Sequence, residues 1–388
     1  MMPRASIAMC LSVSLAAAGG MARAQTPAPN ARQAAVAVAP DPATPDRELA
    51  LDARDIPLGG ALKTPRLWQA WKAGFVGAQG RVIDTGNAMI SHSEGQGYGM
   101  LFAVAANDRE AFDRIWGWTR ANLMVRDDEL VAWRWEPTQR PAVADMNNAT
   151  DGDILVAWAL TEAAELWAEL SYRVAARRIA VEVGRKTVLF KTNMGALLLP
   201  GVRGFSAQDR PDGPVVNLSY YVFPAFSRLR IVAPEYDWNG LTQTGLDLLK
   251  AAAKSGSKLP SDWLSVREDG VQPADGFPPH FSYNAIRVPL YMAWAGIGEK
   301  EHYREFLAWG KHRQGPLPII DVKTGRETDS FREPGYGAVA QALECVIAGG
   351  AASGDIGIPR PGQNYYPATL NLMAALAIQM RYASCAPF

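Results

Sequence analysis

Two stretches of this chain are apolar on every side of a helix: Ile154-Leu155-Val156-Ala157-Trp158-Ala159-Leu160, and residues 285–297, whose only charge is Arg287. A helix without a polar face has no side to turn towards water, so other elements must surround it. Helical periodicity recurs over 67–76, 97–107, 109–123, 153–170, 172–189, 220–232, 238–255, 260–267, 284–296, 300–313, 335–348 and 363–382, whereas strand-like alternation is scarce. Short Gly, Pro or Asp connections join several of these segments, as antiparallel helix neighbours require. About a dozen helices, some buried all round and others amphipathic, fit an inner ring inside an outer ring. The expected fold is all-α, an (α/α)6 barrel of six helical hairpins. A helical solenoid competes with it, but no repeat at a fixed period is present.

The chain is large enough for such a core, with 388 residues of which 48% are hydrophobic. Twelve tryptophans are more than core filling usually asks for. Most belong in the core, and about a third are expected to line a cleft as platforms for flat apolar ligand faces such as those of sugars. Basic and acidic residues balance at 39 each without a basic run. That excludes nucleic acid and an anionic membrane surface as partners and points to a neutral ligand.

The first 24 residues read as a signal peptide: Arg4, an apolar run over 7–18, and Ala22-Arg23-Ala24 as a cleavage site before Gln25. The run is too short to span a bilayer, and no other stretch reaches spanning length. Residues 25–47 are rich in Ala and Pro and are expected to be a disordered leader. From 48 to 388 the composition is uniformly globular, which predicts one catalytic domain and no membrane span in the mature protein. Export leaves Cys345 and Cys385 in an oxidising compartment, either paired or as buried free thiols.

Three clusters carry chemistry. In Ser93-Glu94-Gly95-Gln96-Gly97-Tyr98-Gly99-Met100 a carboxylate sits among glycines that allow close approach, beside a phenol. A Glu in such a cleft has its pKa raised, as a general acid needs, although the same residues also describe a Gly-rich turn with a solvated Glu. In Ala149-Thr150-Asp151-Gly152-Asp153 two acids stand at the head of the buried 153–170 helix, where they can cap it or face a barrel mouth. In Ser282-Tyr283-Asn284-Ala285-Ile286-Arg287, Asn284 and Arg287 are three apart and share a helical face. Arg287 then either meets loop carbonyls or orients an acid. Val131-Ala132-Trp133-Arg134-Trp135-Glu136 and Asn217-Leu218-Ser219-Tyr220-Tyr221 offer rings beside polar groups.

Taken in order from 81 to 289, Arg81-Val82-Ile83-Asp84, the Glu94 stretch, Trp133-Arg134-Trp135, the Asp151 stretch and Ser282-Tyr283-Asn284-Ala285-Ile286-Arg287-Val288-Pro289 together resemble glycoside hydrolase family 8. The resemblance is to the exported endo-β-1,4-glucanases that accompany bacterial cellulose synthase. It implies hydrolysis of internal β-1,4 bonds of cellulose or a related β-glucan with inversion, and an (α/α)6 barrel with an open groove. Glu94 matches the proton donor and Asp151 the acid of the T-D-G-D motif. Tyr98, Trp133, Trp135, Tyr220, Tyr283, Asn284 and Arg287 are the expected substrate-binding residues. No metal and no cofactor is expected. The implied partners are a β-1,4-glucan chain and the export machinery of cellulose synthase, in the periplasm or outside the cell. One departure stands out: Asn284 occupies the place where many members carry a general-base Asp, and an amide cannot take a proton from water at neutral pH. Asp151, through a shifted water, or Asp275 would then be the base. The rival readings are a polysaccharide lyase on the same fold, disfavoured by four His and no Arg/Lys cluster, and a non-catalytic β-glucan-binding protein.

Overall fold

A computed structural model describes residues 55–254, 256–312, 315–348 and 356–385. The export signal, the leader and the expected domain start at 48 lie outside the described residues. Eleven α-helices appear among the described residues: α1 Pro65–Phe75, α2 Ser93–Ala105, α3 Arg109–Asn122, α4 Thr150–Leu166, α5 Leu170–Thr187, α6 Phe223–Val232, α7 Trp238–Ala252, α8 Arg287–Ala295, α9 Lys300–Gly310, α10 Gly337–Ala348 and α11 Tyr365–Arg381. Every residue of α2 and α8 is buried, as is α4 from Thr150 to Ala163 and α11 from Pro367 to Ile378. By contrast α1, α3, α7 and α9 bury one stripe each: in α3 it is Phe112, Ile115, Trp116 and Thr119, with Asp108 capping the helix through the Ala111 amide. Fully buried helices enclosed by one-sided ones are the inner and outer rings of an (α/α)6 barrel. None of the helices is long and apolar enough to cross a membrane among the described residues.

Two expectations are corrected. Residues 260–267 do not form a helix; Leu264–Arg267 is a strand, paired with Gly270–Pro273 and with Val215–Val216. The Asp269-Gly270 pair is a hairpin signal, and Gly270 takes a φ of 139° that other residues avoid. The acid-bearing stretch is also no turn ahead of a helix starting at 97, because α2 begins at Ser93. Its glycines act in packing, as shown below.

The end of α4 remote from Asp151 is tied down by charge. Buried Arg228 of α6 donates to Glu162 at 2.6 Å and to Asp55 at 2.7 Å, while Trp158 and the Leu58 amide also donate to Glu162 at 2.9 Å each. Eleven residues of helix separate Glu162 from Asp151, about 16 Å. The two ends of α4 therefore do separate work. At the chain end Cys345 of α10 and Cys385 form a disulfide across 40 residues, which settles the pairing that the sequence left open. In the chain-entropy picture a loop of that length is worth about 4 kcal/mol. Cys345→Ser should lose stability on that scale in urea unfolding, and reductant should bring the parent protein to the same midpoint without changing the variant.

Candidate active site

The amino ends of α2 and α4 touch because glycine stands at each crossing point. A Cβ on Gly152 would lie 2.0 Å from Ser93 Oγ and 2.8 Å from the Glu94 amide nitrogen, and one on Gly97 would lie 2.5 Å from Leu155 Cβ. Glycine is what lets the two buried helices approach this closely. Glu94 and Asp151, each the second residue of its helix, are thereby brought together.

Arg287, the first residue of α8, joins them. Its Nη1 donates to Glu94 Oε2 and, at 3.2 Å, to Asp151 Oδ2; its Nη2 donates to Ser219 Oγ at 2.8 Å and to Asn284 Oδ1 at 3.1 Å. Glu94 is 4% exposed, Asp151 and Arg287 1% each. One guanidinium cannot neutralise two buried carboxylates, so a proton shared by the pair removes the excess charge. Burial pushes the Asp151 carboxyl up to about 8; Arg287 opposes this, and Glu94 adds to it by charge and by a hydrogen bond. Burial works against the charge on Arg287, but Glu94 and the neighbouring hydroxyls and carboxyl outweigh it and hold the guanidinium charged.

Asp153 sits two residues on and does something else. Its oxygens accept from the Val131 amide at 2.7 Å and from Asn148 Nδ2 at 2.8 Å, and burial pushes it up to about 7. It organises the loops beside the site rather than the site itself. The Trp133 amide donates to Asn147 O, and the Ser93 amide to Trp133 O, both at 3.0 Å. Between the two acids of the motif, the geometry selects Asp151 for the cluster.

The helix expected over 284–296 begins at Arg287. Asn284 precedes it in a turn held by buried Asp262, whose Oδ1 accepts from the Ser282 amide at 3.1 Å and the Ala285 amide at 2.8 Å. The Asn284 oxygen accepts from Arg287, which fixes the amide beside the cluster. Asp275 stands outside the cluster: it is exposed, ion-paired with Arg267 at 3.0 Å, and its amide donates to Asp212 at 2.7 Å.

The expected binding rings divide by position. Tyr220 lies against Arg287, whose Cζ is 6.0 Å from the ring centroid, and the ring continues towards Trp263 at 6.1 Å and from there to Phe277 at 4.7 Å. Tyr283 is half-buried between Phe331 and Tyr336, and its carbonyl accepts from Tyr366 Oη. Trp133 is buried with its indole N–H on Asp145 at 2.7 Å, and one face of half-buried Trp135 is covered by Arg81 at 4.5 Å. Tyr98 has no exposed surface; its hydroxyl bonds that of Tyr291 and accepts from Arg287 at 3.5 Å, so it backs the guanidinium.

Sequence reasoning missed Ser219 and Asp262. Ser219 Oγ accepts from Arg287 and donates at 2.7 Å to Asn217 Oδ1, fixing the guanidinium from behind. Nothing in a serine 68 residues from its arginine announces the pairing; the quoted run from Asn217 to Tyr221 held the only signal, polar residues inside a buried aromatic stretch. Among the described residues Ser93 Oγ, Asn217 Nδ2 and Tyr220 Oη are buried without a hydrogen-bond partner. They border the cluster and are themselves closed to the surface.

Comparison with known proteins places the chain in a family. The model of the glycosyl hydrolases family 8 matches residues 60–380. A probable endoglucanase of Novacetimonas hansenii is 37% identical over 314 residues, 80% of this chain and 89% of that protein. The solved endo-β-1,4-glucanase of Acetobacter xylinum superposes with a TM-score of 0.73 at 35% identity, covering 84% of this chain and 99% of that one. A family 8 endoglucanase of Klebsiella pneumoniae gives the same TM-score and identity over 81% and 99%.

Proposed function

This chain belongs to family 8 of the glycosyl hydrolases, and on that premise we propose how its buried acid cluster cuts a β-1,4-glucan. The protein is an endo-β-1,4-glucanase. The observation that carries the mechanism is the meeting of Glu94 and Asp151 on Arg287 Nη1. Glu94 protonates the leaving glycosidic oxygen, and water attacks the anomeric carbon from the opposite face, with inversion. When the proton shared by the pair sits on Glu94, the ionised Asp151 grips the sugar at the point of cleavage through its own hydrogen bonds. Half-buried Tyr283 holds a neighbouring sugar ring, while Arg287 and the buried Tyr220 and Tyr98 act through the two acids.

Direct inversion needs acid and base roughly 6.5 to 9.5 Å apart, so that a water fits between them. Asp151 shares a hydrogen bond and a guanidinium nitrogen with Glu94, so it stands on the acid's side and is too near to be that base. Asp275 is spent on Arg267. Water is therefore activated here without a carboxylate at the position of Asn284, and the proton it loses passes to solvent. Asn284→Asp should raise kcat about tenfold or more, since a positioned base typically contributes about 10²–10⁴-fold. Reducing-end release from soluble β-1,4-glucan measures this, and an unchanged kcat would mean that another group already serves. A lyase would turn its guanidinium to substrate carboxylates; Nη1 of Arg287 is already held by the protein's own two.

Export to the periplasm or beyond belongs to the same proposal, supported by the Cys345–Cys385 disulfide. So does a setting in bacterial cellulose synthesis beside the synthase's export machinery, which rests on the motif resemblance and is tested by the neighbouring genes.

A further inference from the structure

The residue that closes the acid-bearing helix is a histidine. His92 Nδ1 accepts the Gly95 amide at 3.0 Å, the capping bond that Ser, Thr, Asp or Asn ordinarily supplies. A lone pair at Nδ1 means the neutral tautomer with its proton on Nε2, and Nε2 stands 3.4 Å from Asp84 Oδ2. Asp84 is anchored in turn: its other oxygen accepts the Gly86 amide at 3.1 Å, and its own amide donates to Ile90 O at 2.9 Å. The imidazole meets Tyr365 edge-on at 5.6 Å. Gly95 makes room for both rings, since a Cβ there would lie 3.2 Å from His92 Cε1 and 3.2 Å from Tyr365 Oη. One buried side chain thus ties the turn that carries Glu94 to the 84–90 turn and to the head of α11. A serine or threonine cap would reach only the first of these.

Protonation cannot leave this arrangement intact. A second N–H, on Nδ1, would point at the N–H of Gly95, and the cap would be lost. The surroundings nonetheless favour the charge. Burial resists it, but the hydrogen bond to Asp84 and the charges of Glu94, Asp84 and Asp151 outweigh burial and raise the imidazole above its ordinary range. These groups face the ring from the 84–90 turn, α2 and α4. From α11 comes Tyr365, which burial keeps protonated far above neutral pH.

We propose that His92 is a positioning residue for the catalytic acid: neutral, it caps α2 and holds Glu94 against Arg287; protonated, it releases that turn and sets the acid limb of the pH–rate profile. The inference rests on the glucanase reading of the site. Sign follows from the geometry: the competent state is the neutral imidazole, so activity falls as pH drops through the raised imidazole pKa.

The test measures kcat/KM against pH on soluble β-1,4-glucan for the parent, His92→Asn and Asp84→Asn, with ¹⁵N NMR of the imidazoles and the Gly95 amide in the parent. Only three other histidines compete in that spectrum. The side-chain oxygen introduced by His92→Asn can accept the Gly95 amide and gains no proton, so near-parent activity at about pH 8 and an acid limb displaced downwards by about one pH unit or more are expected. Asp84→Asn keeps an acceptor for Nε2–H and removes the charge; its limb should move the same way by less. In the parent, the Gly95 amide should shift in step with protonation of Nδ1. Superimposable acid limbs, an equal loss at every pH in both variants, or a Gly95 amide indifferent to the imidazole would overturn the proposal. If the parent releases no reducing ends, the enzymatic reading fails by itself, and the NMR titration still decides whether His92 gates the helix cap; it also decides the matter if a variant does not fold.

Discussion

Glu94→Gln is expected to lower kcat on soluble β-1,4-glucan by about 10³-fold or more while leaving affinity for cello-oligosaccharides nearly unchanged. The amide has the carboxylate's shape, and its oxygen can still accept from Arg287 Nη1. What it cannot do is hand a proton to the departing glycosidic oxygen. General acid catalysis typically contributes about 10²–10⁴-fold, and three decades correspond to about 4 kcal/mol of barrier. Binding is spared because the substitution keeps the shape of the side chain and leaves half-buried rings such as Tyr283 untouched. Reducing-end assays and calorimetric titration on the same preparation separate the two effects. Retained turnover would remove Glu94 as the acid; turnover and binding lost together would make it a structural residue; a parent that binds without ever releasing reducing ends would leave a glucan-binding protein.

Asp151→Asn comes second in expected size, at about 10²–10³-fold in kcat with the fold retained. Its amide oxygen can accept from the Gly152 amide or from Arg287, but not from both as the two carboxyl oxygens do; the crossing of α2 and α4 rests on Gly152 and Gly97 and stays closed. The introduced amide cannot take or return the proton that the pair shares, so Glu94 loses the partner that tunes its protonation. The same substitution carries a stability signature. With Asp151 raised to about 8 in the fold against an ordinary carboxyl near 4 when unfolded, the native protein holds a proton between those values that the unfolded chain releases. Stability contributed by this group is full below about pH 4 and declines as pH rises to about 8. In the variant that decline should flatten, which urea unfolding at about pH 5 and about pH 8 measures. A mild loss of rate with an unchanged slope would return Asp151 to a helix-end role.

Much of the barrel could be read before any coordinates because burial on all sides leaves a mark in one dimension. The runs at 154–160 and 285–297 admit no polar face, and both fall in inner helices. Where packing does not dictate the residues, the reading slipped: 260–267 looked helical until pairing with Gly270–Pro273 claimed it as a strand. Helix starts also differ, 93 against the expected 97 at α2 and 150 against 153 at α4, because Gly95, Gly97 and Gly152 are weak helix formers by propensity. They are instead the gaps that let one helix lie on another.

The order of motifs along the chain, the identity of its acids and the amide at position 284 were determined by sequence alone, because they are matters of which side chain stands where. That Asp151 rather than Asp153 joins Glu94, that one guanidinium 193 residues from Glu94 holds the pair, that Asp275 is spent elsewhere and that Cys345 meets Cys385 were decided only in three dimensions. The reason is physical: desolvation, shared protons and ion pairs depend on separations of a few ångströms between groups far apart in the chain, and the α2–α4 crossing sets those separations.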